Sequence, residues 1–119
     1  MRWLFALGLF AFLVGCASPA PLVSQTGKTK QFEIVAKQFS FEPALVTVDK
    51  GDLVELYITS ADVTHGIRIP AFRAGGTLRP GVTTKVAFVP DKIGMFEFRC
   101  NSYCGTGHAE MIGAVEVVE

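Results

Sequence analysis

Apolar and polar residues alternate along most of the chain with the period of a β-strand. Phe32-Glu33-Ile34-Val35-Ala36 reads as a first strand. In Gln38-Phe39-Ser40-Phe41-Glu42-Pro43 the two phenylalanines fall on one face, with Pro43 at an edge or turn. Residues 45–48 form a short strand stopped by the turn Asp49-Lys50-Gly51-Asp52. Residues 53–59 are rich in β-formers and bury either Leu53 and Tyr57 or their alternates. Further strands are expected over residues 66–70, 83–89, 95–100, where Phe96 and Phe98 share a face, and 113–118. Residues 72–80, with Gly75-Gly76 at their centre, read as looser chain, and Pro80-Gly81 as a turn. No stretch of residues 16–119 carries a long amphipathic helical pattern. About eight short strands with turns between them predict an all-β, two-sheet Greek-key β-sandwich.

The start of the chain breaks this pattern. Met1-Arg2 is positive, and residues 3–15 are apolar without interruption. That run is short for a membrane span, which needs about 20 residues, and it reads as an export signal. Leu13-Val14-Gly15-Cys16 resembles a bacterial lipobox, which implies a signal peptide over residues 1–15 and a lipidated Cys16. The alternatives are an ordinary signal cut near Ala17 or Ala20, or an uncleaved short anchor. Residues 16–30 hold Ser18-Pro19-Ala20-Pro21 and Gly27, the composition of a flexible tether. The folded domain is expected over residues 31–119. The destination is the cell envelope, on the periplasmic or other extracytoplasmic face, lipid-anchored to membrane.

Loss of residues 1–15 removes only Arg2 among the charged side chains, leaving ten basic and eleven acidic groups. A net charge this close to neutral argues against nucleic acid as a partner. It also offers no strong acidic field to steer a basic redox partner. A chain of this length supports one domain with a modest core. With Cys16 consumed by lipid, two cysteines remain for chemistry. The sequence carries no Ser/His/Asp spacing, paired catalytic carboxylates or phosphate loop, so hydrolysis is not indicated.

Chemistry concentrates in residues 100–111, which contain Cys100, Cys104, His108 and Met111. Thiolates select copper(I), zinc or iron–sulfur, and imidazole suits copper and zinc. The thioether separates these, because zinc sites are built from Cys, His and carboxylates. An electron-carrying single copper needs one strong thiolate, whereas two thiolates with three residues between them can bridge two metals. A second imidazole must then come from elsewhere, and the only other histidine is His65. Asp62, just before it, caps the turn ahead of His65 or orients groups around the ligands. Met95 reads as core and Glu110 as solvated. Arg99 is either a partner-facing group or an outward strand residue, and Tyr103 either shields the metal or packs the loop. A Cys100–Cys104 disulfide beside incidental polar residues is the bland alternative.

Asp62-Val63-Thr64-His65-Gly66, Pro80-Gly81, Phe96-Glu97-Phe98-Arg99-Cys100 and the spacing Cys-x-x-x-Cys-x-x-x-His-x-x-Met resemble the copper-A domain of cytochrome c oxidase subunit II. The resemblance covers roughly residues 32–118 and implies a cupredoxin-like Greek-key β-sandwich. It implies copper, as two ions in a binuclear centre. Cys100 and Cys104 would bridge both ions, His65 and Met111 would complete one, and His108 and the Ser102 backbone carbonyl the other. Ser102 stands where the family usually has Glu or Trp, a change that leaves a carbonyl ligand possible. The resemblance also implies electron transfer, with cytochrome c or a haem-copper oxidase as redox partner. The family's transmembrane hairpin and its aromatic-rich stretch for cytochrome c have no counterpart; the only Trp is Trp3. In their place, Gln38-Phe39-Ser40-Phe41 looks like the short copper-A domains of minimal oxidases. Three functions follow: a stand-alone carrier or oxidase subunit, a periplasmic copper-delivery or buffer protein, and a structural lipoprotein with an inert disulfide.

Overall fold

The computed structural model describes residue 15 and residues 25–119. Cys16, the signal segment and lipobox apart from Gly15, and most of the tether lie outside the described residues. Nine strands follow in order: β1 (Thr29–Lys37), β2 (Ser40–Glu42), β3 (Leu45–Asp49), β4 (Leu53–Ser60), β5 (His65–Ile69), β6 (Ala74–Leu78), β7 (Thr84–Phe88), β8 (Gly94–Arg99) and β9 (Ile112–Val118). They form two sheets, β2-β1-β4-β7 and β3-β9-β8-β5-β6. Among the described residues two short 3-10 turns, Pro70–Phe72 and His108–Glu110, complete the regular structure. No helix of the described residues is long and apolar enough to cross a membrane.

The core lies between the sheets. Ile34, Val54, Leu56, Ile58 and Val86 from one face meet Val46, Ile67, Ile69, Leu78, Phe98, Val115 and Val117 from the other. Phe41 of β2 meets Phe98 of β8 edge to face, with ring centroids 5.1 Å apart, and so stitches the sheets together. β4 takes the alternate phase: Val54, Leu56 and Ile58 point inward, while Leu53 is exposed and Tyr57 half-buried.

Four expectations change. β6 occupies the stretch read as loose chain. Its glycines hide the alternation, yet pairing with β5 requires one of them: a Cβ on Gly75 would sit 2.4 Å from the Ile67 carbonyl oxygen. Met95 is 61% exposed instead of core, because β8 turns Phe96 and Phe98 inward and so turns Met95 outward. β2 is only three residues long, shorter than the alternation over residues 38–43 suggests, and Phe39, just before it, is half-buried and packs against the core. β1 also starts earlier than the alternation suggests, at Thr29. The preceding chain is tied down by Thr26, whose N–H donates to the Gly51 carbonyl at 3.0 Å and whose hydroxyl meets the buried Asp52 carboxylate.

Candidate metal centre

The ligand-bearing segment is an excursion from the β8–β9 hairpin. Arg99 pairs with Ile112 at its root, and the Cys100 N–H donates to the Met111 carbonyl at 3.1 Å. Inside the loop, the N–H groups of His108, Glu110 and Met111 donate to the carbonyls of Gly105, Gly107 and His108, at 3.2, 3.1 and 3.3 Å. These three-residue closures wind His108 and Met111 back toward the cysteines. On the opposite bank, β4 ends in a turn closed by the Ser60 hydroxyl on the Val63 carbonyl. That turn delivers His65 as the first residue of β5, fully buried.

The expected donors converge. Cys100 Sγ lies 3.6 Å from Cys104 Sγ, and the Cys104 sulfur lies 3.7 Å from His108 Nδ1 and 3.8 Å from Met111 Sδ. The Cys100 thiol points at the Ser102 carbonyl oxygen, 3.0 Å away. Ligand atoms of His65, Cys100 and Cys104 lie within 4.8 Å of one another. Both cysteines are free and buried. Their separation is far longer than a disulfide bond of about 2.05 Å, so the pair is not bridged in this structure. Cys100, Cys104, Met111 and His65 are all buried, whereas His108 is half-buried at the solvent edge.

Asp62 fixes the buried imidazole. Its Oδ1 lies 2.7 Å from His65 Nε2 and accepts the Val63 N–H at 2.6 Å, while its Oδ2 accepts the Gln38 N–H at 2.8 Å. Burial works to raise the Asp62 carboxyl, but the hydrogen bonds from Gln38, His65 and Val63 outweigh it and hold the pKa below the usual value. A carboxylate only accepts, so in a neutral ring it holds the proton on Nε2 and leaves Nδ1 with a lone pair. That Nδ1 is buried without a hydrogen-bond partner. An orphaned ring nitrogen beside two thiols is what a metal ligand looks like before its metal is in place. Burial, with Cys100 alongside, pushes the Cys104 thiol up to about 11. Metal uptake must therefore displace its proton.

The donor chemistry fits copper. Thiolate, imidazole and thioether together match its soft-ligand preference, and the thioether falls outside the usual zinc set. The remaining residues resolve plainly. Arg99 faces outward and bonds Glu97 through Nε at 3.0 Å. Glu110 is exposed, and Tyr103 is 76% exposed with its ring centroid 5.7 Å from that of His108. The sequence marks Gln38 only as part of the stretch Gln38-Phe39-Ser40-Phe41, with no role of its own at the site. Its side-chain amide donates to the Cys104 carbonyl at 2.7 Å.

The comparisons with known proteins agree with this geometry. Residues 4–112 match the family model described as "Cupredoxin-like domain". The chain is 33% identical over 104 residues to a cytochrome c oxidase subunit 2 of Thermus thermophilus, covering 87% of this chain and 77% of that protein. It is 32% identical over 93 residues to the nitrous-oxide reductase of Cupriavidus necator, covering 75% of this chain but 14% of that enzyme. The fold matches the periplasmic domain of subunit II of the cytochrome oxidase of Bradyrhizobium japonicum, with a TM-score of 0.69 at 24% identity, over 82% of this chain and 88% of that one. Sandwich, donor cluster and relatives converge on one assignment: the chain belongs to the cupredoxin-like domain family and, within it, to the cytochrome c oxidase subunit 2 proteins.

Proposed function

We propose that this protein transfers electrons through a binuclear copper-A centre, passing them toward a haem-copper oxidase. Cys100 and Cys104 would bridge both ions, His65 and Met111 would complete one, and His108 and the Ser102 carbonyl the other. Copper bound there supplies one-electron oxidation and reduction. The observation that carries the reading is the convergence of two free, buried thiols 3.6 Å apart with the unpartnered His65 Nδ1, His108 Nδ1 and Met111 Sδ around them. Cys100 and Met111 stand at the ends of β8 and β9, and His65 opens β5. Rigid strands thus hold donors from both banks, so little of the protein rearranges when charge changes. Buried Cys104 and Met111 exclude water, while half-buried His108 under exposed Tyr103 gives an edge open to a partner such as cytochrome c.

Residues 1–15 act as a lipoprotein signal peptide in this reading, Cys16 as the lipidated N-terminus, residues 16–30 as the tether and residues 31–119 as the copper domain. The protein then works at the extracytoplasmic face of a membrane, as a lipid-anchored carrier or an oxidase-associated subunit. Copper delivery needs exchangeable metal, which donors buried this deeply oppose.

Copper reconstitution of the reduced protein, with metal counting and electron spin resonance on one sample, tests this. Two coppers per chain and the hyperfine pattern of one electron shared equally by two nuclei are expected. Cys100→Ser and Cys104→Ser should each leave one copper at most. One tightly held copper with a single-nucleus spectrum, or loosely exchanging copper(I), would overturn the assignment.

A further inference from the structure

The two banks of the centre come from distant parts of the chain, and something must set the distance between them. Asp62 and His65 stand on the β4–β5 turn, and the cysteines stand on the β8–β9 loop. Gln38, in the β1–β2 turn, touches both. Its backbone N–H donates to Asp62 Oδ2 at 2.8 Å, and Asp62 Oδ1 meets His65 Nε2 at 2.7 Å. Its side-chain Nε2 donates to the Cys104 carbonyl at 2.7 Å. Among the described residues this is the one side-chain hydrogen bond that reaches the ligand loop from outside it.

Phe39 closes the same contact from below. A Cβ on Gly107 would sit 2.5 Å from Phe39 Cγ, and a Cβ on Gly105 would sit 2.8 Å from Phe39 Cζ. The ring therefore lies directly against the loop backbone, in space that only glycine leaves open. Gly105 also takes φ +138, a conformation side-chain-bearing residues rarely adopt. The Gln38 amide holds the peptide immediately before that glycine.

We infer that Gln38 is a positioning residue of the metal centre, a clasp that fixes the Cys104 loop against the His65 turn and biases the centre toward its reduced state. The clasp rests on the copper reading given above. The sign follows from electrostatics. The amide hydrogen is the positive end of a dipole aimed at the Cys104 peptide, and reduction adds negative charge beside it, so the donor favours the reduced form.

The test uses Gln38→Met, which keeps length and the backbone N–H but loses the donor, and Gln38→Glu, which sets a carboxylate against the Cys104 carbonyl. Gln31→Met, on the adjoining strand β1 with its side chain bonded only to Glu55 and Tyr57, is the control. Both Gln38 variants should bind as much copper as the wild type. Their one-electron equilibrium should shift toward the oxidised form by up to about tenfold, or about 59 mV. In metal-free protein, amide exchange at Gly105 and Thr106 should speed up severalfold while the strands stay protected. The control should change neither quantity. A Gln38→Met protein with wild-type potential and wild-type loop exchange would overturn the clasp. The two readings fail separately: a wild type without a shared-electron spectrum would remove the copper pair, while loop exchange in metal-free protein still decides whether Gln38 holds the loop.

Discussion

Gly113→Ala probes how firmly the ligand loop is rooted in the sandwich. Gly113 pairs with Phe98 across β8 and β9, two residues outside the Cys100 to Met111 closure. A Cβ there would sit 2.4 Å from Phe98 Cε2 and Cζ and 2.6 Å from the Ala44 carbonyl oxygen. Carbon contacts settle at about 3.5–4.0 Å, so the ring or the strand must move by about 1 Å. Neither is free to do so. Phe98 is fully buried edge-on to Phe41, and the Ala44 carbonyl is held by the Ala114 N–H at 2.8 Å. Overpacking of this kind costs about 1–3 kcal/mol, and a contact that includes backbone belongs in the upper half. Gly113 has no positive φ, so alanine also restricts the unfolded chain and returns about 0.4–1 kcal/mol. The net loss is about 1–2.6 kcal/mol, which for a domain of this size lowers the melting temperature by about 4–21 °C. Thermal unfolding of reduced, metal-free protein measures it. Gly76→Ala serves as control, because its nearest contact is the Thr84 methyl at 3.3 Å, on a side chain that can turn away. A Gly113→Ala protein melting within about 1 °C of wild type would refute the packing argument.

Three further outcomes are expected. Lys85, 2.8 Å away, and Gln31 hold the Glu55 carboxyl below its ordinary value of 4.5, against the opposing pull of burial. A depressed folded pKa gives stability that is present above the unfolded value and lost as pH falls through the folded one. The stability gap between wild type and Glu55→Gln should therefore be open at neutral pH and close under acid, and a gap unchanged down to about pH 2 would contradict the pairing. Mass spectrometry of protein from its native membrane should find an acylated Cys16 as the N-terminus, whereas an intact Met1 or cleavage beyond Cys16 would end the lipoprotein reading. Hydrogen exchange on metal-free protein should show protected strands and a fast-exchanging loop over residues 100–111, and copper should then raise stability by binding the native state; global exchange without metal would refute a preformed sandwich.

The sequence exposed those parts of the molecule whose causes are local. Alternation located most strands because each buries one face. It left the phase of β4 open, since Leu53, Val54, Leu56, Tyr57 and Ile58 are apolar in both registers. It missed β6 because a Gly-Gly pair carries no hydrophobic phase, although close pairing with Ile67 is what requires Gly75. The donors were legible because Cys100, Cys104, His108 and Met111 sit in one loop and only one other histidine was available. Gln38 was not, because its side-chain partner lies 66 residues away and both of its contacts involve backbone atoms, which leave no trace in residue type.

The placement of the donors explains why one fold can be both preformed and dependent on metal at one end. Cys100, Cys104 and Met111 belong to the same buried cluster as Phe41, Phe98 and Ile67. The centre is therefore the last layer of the core rather than an attachment on its surface. Without metal, that layer contains sulfur groups that hydrogen-bond weakly and an imidazole nitrogen with no partner. Apolar packing elsewhere does not depend on those groups, so the sheets can form first. The unpaired Nδ1 and the raised Cys104 thiol then concentrate the unsatisfied chemistry at one end of the sandwich, where the metal proposed above would release its binding energy.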